Sequence, residues 1–132
     1  CSCLRDAGVS LPQEHILPSG GEELTPLLEK LTSGPNPVTG IFTISDTCAL
    51  DLYYSASCLS LRVPEDLSII GFDDLPHSSR SLPPLTTVRQ DIFRKAEVAC
   101  ELLMKHIREP ESPAENIVLD VSLVVRGSVK KR

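Results

Sequence analysis

Tryptophan is absent, and only two tyrosines and three phenylalanines occur among the 132 residues. Any core must therefore be assembled mainly from Leu, Val and Ile. Positive charge is scarce as well: thirteen Lys and Arg face eighteen Asp and Glu, giving a net charge of −5 and a pI near 5.1. A domain that grips nucleic acid by its phosphates needs a basic face, so this balance speaks against direct DNA contact by the chain itself. No apolar run approaches the ~20 residues of a membrane-spanning helix. The G-x-S-x-G elbow, the Gly-Lys-Ser/Thr phosphate loop and H-E-x-x-H are all missing, so neither an enzyme nor a bound cofactor is expected. His15, His77 and His106 are dispersed; His77 beside Asp73 and Asp74 has no nucleophile to serve, and His106 reads as solvated.

What remains is ordinary globular material, 41% hydrophobic and 23% charged, of a length that fits roughly one domain. The five cysteines, Cys1, Cys3, Cys48, Cys58 and Cys100, are an odd count that suits a reducing, cytoplasmic setting better than a disulfide framework. Cys1-x-Cys3 could open a metal site but has no second pair, so small buried or surface thiols are the plainer reading and no metal is expected. The chain opens on Cys1 instead of Met, so a processed or cut end is expected and leader-peptide reasoning does not apply.

Residues 1–8 read as a helix tail closed by Gly8. His15–Leu17 suggests a short strand. Leu24, Leu27, Leu28 and Leu31 mark a helix that Ser33-Gly34-Pro35-Asn36-Pro37 stops. Val38–Ile44 predicts a strand, Ser45-Asp46 a helix cap, and Cys48, Ala49, Leu52, Ala56 and Leu59 the stripe of the next helix. Leu67–Phe72 is a buried strand, Asp73–Pro84 a loop, and Thr86–Val88 a short strand. A long amphipathic helix runs from Asp91 to about Arg108, followed by Ile117–Leu119 and Val121–Val125 as two short strands or one bent one.

Apolar strands alternating with helices predict an α/β domain whose parallel sheet is flanked by helices on both faces. Ligands of such sheets sit beyond the carboxyl ends of the strands. Asp46 and the pair Asp73-Asp74 fall there.

The run Arg62-Val63-Pro64-Glu65-Asp66-Leu67-Ser68-Ile69-Ile70-Gly71-Phe72-Asp73-Asp74 resembles the RVPEDVSVVGFDD signature of the lactose/galactose-repressor (LacI/GalR) family of transcriptional regulators. Pro83–Gln90 is similar to that family's PPLTTVRQ, Leu123–Ser128 to its LVVRGS, and Gly40–Asp46 to its AIFAxND. The four motifs keep their order over roughly residues 38–128. The resemblance implies a periplasmic binding protein-like (type I) sensor of two lobes behind a DNA-binding head. The chain would be an incomplete copy: most of the C-terminal lobe over 1–90, a helix and strand of the N-terminal lobe over 91–121, and a returning strand and tail over 122–132. DNA would be reached only through a head that lies outside the chain.

The resemblance also implies roles. Asp73 would accept hydrogen bonds from effector hydroxyls or amines; capping the following turn is its alternative, and for Asp74 capping is the expected role. Ser45 stands where relatives carry Asn and would reach a ligand at longer range. Asp46 would cap its helix more than touch ligand. Gln90 matches a crossover residue that reaches the ligand in some relatives, and Ile92 a position that sometimes carries a ring. The loop Pro18-Ser19-Gly20-Gly21 lacks the ring on which sugars stack, and the clamping Arg of the family lies upstream of Cys1. A small effector, sugar or nucleoside-like, remains the expected partner, bound weakly or not at all by half a cleft.

Leu50 and Tyr54, with Ser79 and Leu82 in the loop over 78–82, match dimer surfaces and imply a homodimer; for Leu50 and Tyr54 an extension of the buried face is the alternative. Ser78-Ser79 beside Arg80 could hold an anion or be a plain polar loop. Without a first lobe, the helix over 91–108 is expected to fold back on the sheet or to pack on another copy. The function implied is effector sensing for a transcriptional regulator. A transport-type sugar-binding protein of the same fold is the first alternative, and a small flavodoxin-shaped enzyme the second.

Overall fold

In the structure, a computed structural model, residues 2–17 and 24–131 are described. Cys1 and the loop Pro18–Gly21, for which expectations are stated above, lie outside the described residues, as does the side chain of Cys3. The elements run α1 (Ser2–Asp6), α2 (Leu24–Thr32), β1 (Gly40–Phe42), α3 (Asp46–Cys58), β2 (Ser68–Asp73), β3 (Thr86–Gln90), α4 (Ile92–Arg108) and β4 (Val121–Val124). One four-stranded sheet has the order β1-β2-β3-β4. The first three strands are parallel and β4 returns antiparallel to β3, with Gln90 opposite Val121 and Thr87 opposite Val124.

Gly8 ends α1 as expected, with φ of 73°. Its N–H bonds the carbonyl of Arg5 and that of Val9 the carbonyl of Leu4, the double closure that a left-handed residue after a helix permits. The strand expected over His15–Leu17 is a correction: Gln13–His15 form a single 3-10 turn after Pro12, whose φ of −58° starts the turn. Among the described residues no strand lies beside Ile16 and Leu17 for them to pair with. Nor does Ile117–Leu119 form a strand; Val118 is 88% exposed, and pairing begins only at Val121.

The core lies between one face of the sheet and helices α2 and α3. Leu28 supplies the α2 contribution, Ala49, Leu52 and Ala56 that of α3, and Leu67, Ile69 and Leu85 that of the strands and their entries. Each large side chain so buried contributes about 1.5–3 kcal/mol. Cover on both faces was expected, but Phe42 and Leu123, which project from the opposite face, remain 60% and 58% exposed.

The fold-back expected of the long helix does not occur. Along α4 only Val98 is buried, while Phe93, Leu103 and Ile107 are 78%, 61% and 62% exposed. The helix forms on local signals instead. Asp91 caps it, accepting from the Arg94 N–H at 2.9 Å, and Lys105, His106 and Arg108 oppose the carbonyl end of its dipole.

Candidate functional site

The parallel order of β1 and β2 brings the segments after both strands to one end of the sheet, where Ser45, Asp46, Asp73 and Asp74 gather. They divide into a sealed half and an open half.

Asp46 belongs to the sealed half. It is fully buried in the first turn of α3, and its carboxylate collects three donors from elsewhere in the chain. The Leu75 N–H at 2.7 Å and the Ser78 hydroxyl at 2.5 Å reach Oδ2, and the Thr87 hydroxyl at 2.5 Å reaches Oδ1. The cap expected of Asp46 is made by Ser45, whose hydroxyl accepts from the Cys48 N–H at 3.2 Å. Asp46 instead ties α3 to β3 and to the loop after β2. At 0% exposure it presents nothing to solvent in this structure. Ser78 is equally buried and spent on Asp46, so the anion site considered for Ser78-Ser79 loses its first hydroxyl. Gly71 makes room for this arrangement. A β-carbon there would collide with Asp46 Oδ1 and come within 2.8 Å of Leu85 Cδ2.

Asp73 and Asp74 form the open half. Both leave the strand with left-handed backbones, φ 113° and 57°, a region costly for residues with a β-carbon. That turn sends the two carboxylates to different partners. Asp73 Oδ1 accepts from Gln90 Nε2 at 2.5 Å, and Gln90 Oε1 accepts from Lys95 Nζ at 3.2 Å. The structure thus brings together Asp73 and Gln90, both half-buried. Asp74 accepts from Arg89 Nε at 2.6 Å and from Arg126 Nη2 at 2.6 Å. Burial alone would push the Asp74 carboxyl up; the two guanidinium groups outweigh it and hold the carboxyl below its ordinary value. Asp74 is therefore an ion-pair centre, and Arg126 is the residue that sequence reasoning missed. The LVVRGS motif was its one available signal.

Of the expected dimer contacts, Leu82 is 90% and Tyr54 73% exposed, Ser79 is exposed, and Leu50 is half-buried. The neighbouring Tyr53 turns inward and donates its hydroxyl to the Pro83 carbonyl at 3.1 Å. An apolar groove of about 680 Å³ runs beside β1, lined among others by Leu11, Leu31, Ile41, Phe42 and Tyr54. Asp73 and Gln90 take no part in it. Among the described residues no three His, Cys, Asp or Glu side chains are grouped to hold a metal, and no helix is long and apolar enough to cross a membrane.

A mostly parallel α/β sheet with polar side chains gathered at its strand ends has the architecture in which ligands sit beyond the carboxyl ends of the strands. Residues 2–129 match the family model described as a periplasmic binding protein-like domain, and the chain belongs to that family. Its homologues are LacI-type transcriptional repressors. It is 35% identical over 130 residues to the HTH-type transcriptional repressor PurR of Vibrio vulnificus, covering 97% of this chain and 39% of that protein. A LacI-type transcriptional regulator from Bacillus cereus subsp. cytotoxis superposes with a TM-score of 0.83 at 27% identity, over 98% of this chain and 46% of that one. A LacI-family regulator from Enterococcus faecalis solved with bound ribose gives 0.69 at 31% identity, over 80% of this chain and 39% of that one. The chain thus spans less than half the length of these relatives.

Proposed function

We propose that the chain is the effector-sensing part of a LacI-type transcriptional regulator. The Asp73 carboxylate is its main ligand contact, Gln90 works beside it, and Ser45 lies at the rim. The observation that carries this reading is the Asp73–Gln90 pair at 2.5 Å, set at the carboxyl ends of β2 and β3 beside a left-handed corner. A carboxylate in a partly dry crevice accepts stronger hydrogen bonds from ligand hydroxyls than a neutral group would. The ribose bound by the E. faecalis regulator has chemistry of that kind.

In this reading residues 91–121 are part of a second lobe, and the uncovered side of α4 is where that lobe packs. Leu50, Tyr54, Ser79 and Leu82 form a homodimer contact, which the exposure of Tyr54 and Leu82 supports. Effector binding then favours one arrangement of the lobes and biases DNA heads outside this chain. The setting is cytoplasmic, with no membrane contact.

The test is calorimetric titration of the full-length protein with ribose, other small sugars and nucleosides, repeated with Asp73→Asn on whichever of them binds. The lost charge should weaken binding by about 10- to 100-fold. A binder whose affinity is untouched by Asp73→Asn removes Asp73 from the site and the reading with it.

A further inference from the structure

Two successive non-glycine residues in left-handed backbone persist only where their surroundings over-determine them. At the corner formed by Asp73 and Asp74, one of those surroundings is a side chain that arrives 52 residues later. Arg126 Nη2 holds Asp74 at 2.6 Å, Nη1 donates to the Leu85 carbonyl at 2.8 Å, and its backbone N–H donates to the Thr86 hydroxyl at 2.9 Å. The planar guanidinium thus spans the end of the loop after β2 and the corner itself, a fork that an ammonium cannot match, while the backbone of Arg126 holds the start of β3.

The same segment is stitched in further along. The Ser128 hydroxyl donates to the Ile69 carbonyl at 2.6 Å and accepts from the Thr86 N–H at 2.8 Å, and both Ser128 and Thr86 are buried. Arg89 also reaches Asp74, but its side chain is 57% exposed against 17% for Arg126, so Arg126 is the better-screened partner from water. With Asp74 fixed from one side, Asp73 has its carboxylate turned to Gln90.

We propose that Arg126 is a positioning residue. By pairing with Asp74 it locks the left-handed corner and thereby sets the direction of the Asp73 carboxylate. The inference rests on the reading of Asp73 as the effector contact, but its test uses no effector, so the two fail separately. Asp73→Asn without effect on ligand would sink the functional reading and leave the lock standing.

The experiment follows the side-chain amide of Gln90 by ¹⁵N NMR in the 132-residue chain, because that amide donates to Asp73. Methyl signals of Leu52, Ile69 and Leu85 report the core. In Arg126→Gln and in Asp74→Asn the Gln90 amide should move to the position of a free amide and exchange with solvent about tenfold faster or more, the scale of a lost hydrogen bond to a charged group. The core methyls should stay in place. Arg126→Lys, the mildest change, should restore part of the protection. A residue that merely glues the C-terminal segment down would lower the melting temperature and leave Gln90 unmoved. That result, in any variant with a wild-type core spectrum, overturns the proposal. If none of the three keeps that spectrum, Arg126 and Asp74 are general folding residues and the proposal is equally overturned.

Discussion

Helices α3 and α4 start from the same kind of local signal and end in opposite circumstances. Each has a side-chain cap, Ser45 for one and Asp91 for the other. Each carries a run of apolar residues at helical spacing. Yet α3 buries Ala49, Leu52, Ser55 and Ala56, whereas α4, four residues longer, buries Val98 alone. The difference lies in what the rest of the chain brings to them. Helix α3 packs on α2 and β2, and the Asp46 carboxylate ties it to β3 and to the loop after β2. Helix α4 carries surface ion pairs from Arg94 to Glu97 and Glu101, and pairs of that kind contribute little. An amphipathic sequence therefore specifies a helix and a face, while burial of that face depends on a partner elsewhere.

The contrast is broken most forcefully at Asp46. Asp46→Ala strands three donors at once: the part-buried Leu75 N–H and the buried hydroxyls of Ser78 and Thr87. Hydrogen bonds to a charged acceptor are worth about 1.5–3 kcal/mol each, and donors left unsatisfied cost more than donors replaced. The expected loss is about 4 kcal/mol, read as a lower urea midpoint at unchanged slope. A loss below about 1 kcal/mol would mean that water replaces the carboxylate freely and that the sealed half is not sealed. Gly71→Ala tests the same packing from the other side. Its added methyl has to displace either Asp46 Oδ1 or Leu85, and overpacking of this kind costs about 1–3 kcal/mol. If Gly71→Ala is silent, β2 has slack that the close approach to Leu85 denies.

How much of this was legible beforehand depends on the range of the interaction concerned. The helix over 24–32, the strand ending in Phe72-Asp73 and the long helix from Asp91 follow from spacing and capping, which are local, and the structure has them close to those bounds. The Asp73–Gln90 pair was half legible. Asp73 and Gln90 were each marked by a family motif, but their contact depends on the left-handed corner, which no propensity gives to two aspartates. Asp46 was misread as a cap because Ser45 and Asp46 are adjacent and both can cap. Only the return of Ser78 and Thr87, 32 and 41 residues on, decides which oxygen is buried. Arg126 escaped for the same reason. His15–Leu17 failed in the opposite direction: His15 closes a 3-10 turn, and the extended Ile16 has no strand beside it among the described residues.

The smallest effect is expected on α4, and its smallness is informative. Phe93→Ser removes the most exposed ring of the chain, which in this structure touches no packed core. Folding stability should change by no more than about 0.5 kcal/mol, the range of surface substitutions, whereas Leu52→Ala in α3 should cost about 2–5 kcal/mol. Chemical unfolding of both variants gives the comparison directly. In the full-length protein the arithmetic should reverse: if a second lobe covers α4, Phe93→Ser there buries a hydroxyl and loses a ring, and its cost should approach that of Leu52→Ala. Equal, negligible losses in both lengths of chain would mean that the apolar side of α4 is uncovered in the longer protein too, and the two-lobe reading of residues 91–121 would lose its physical basis.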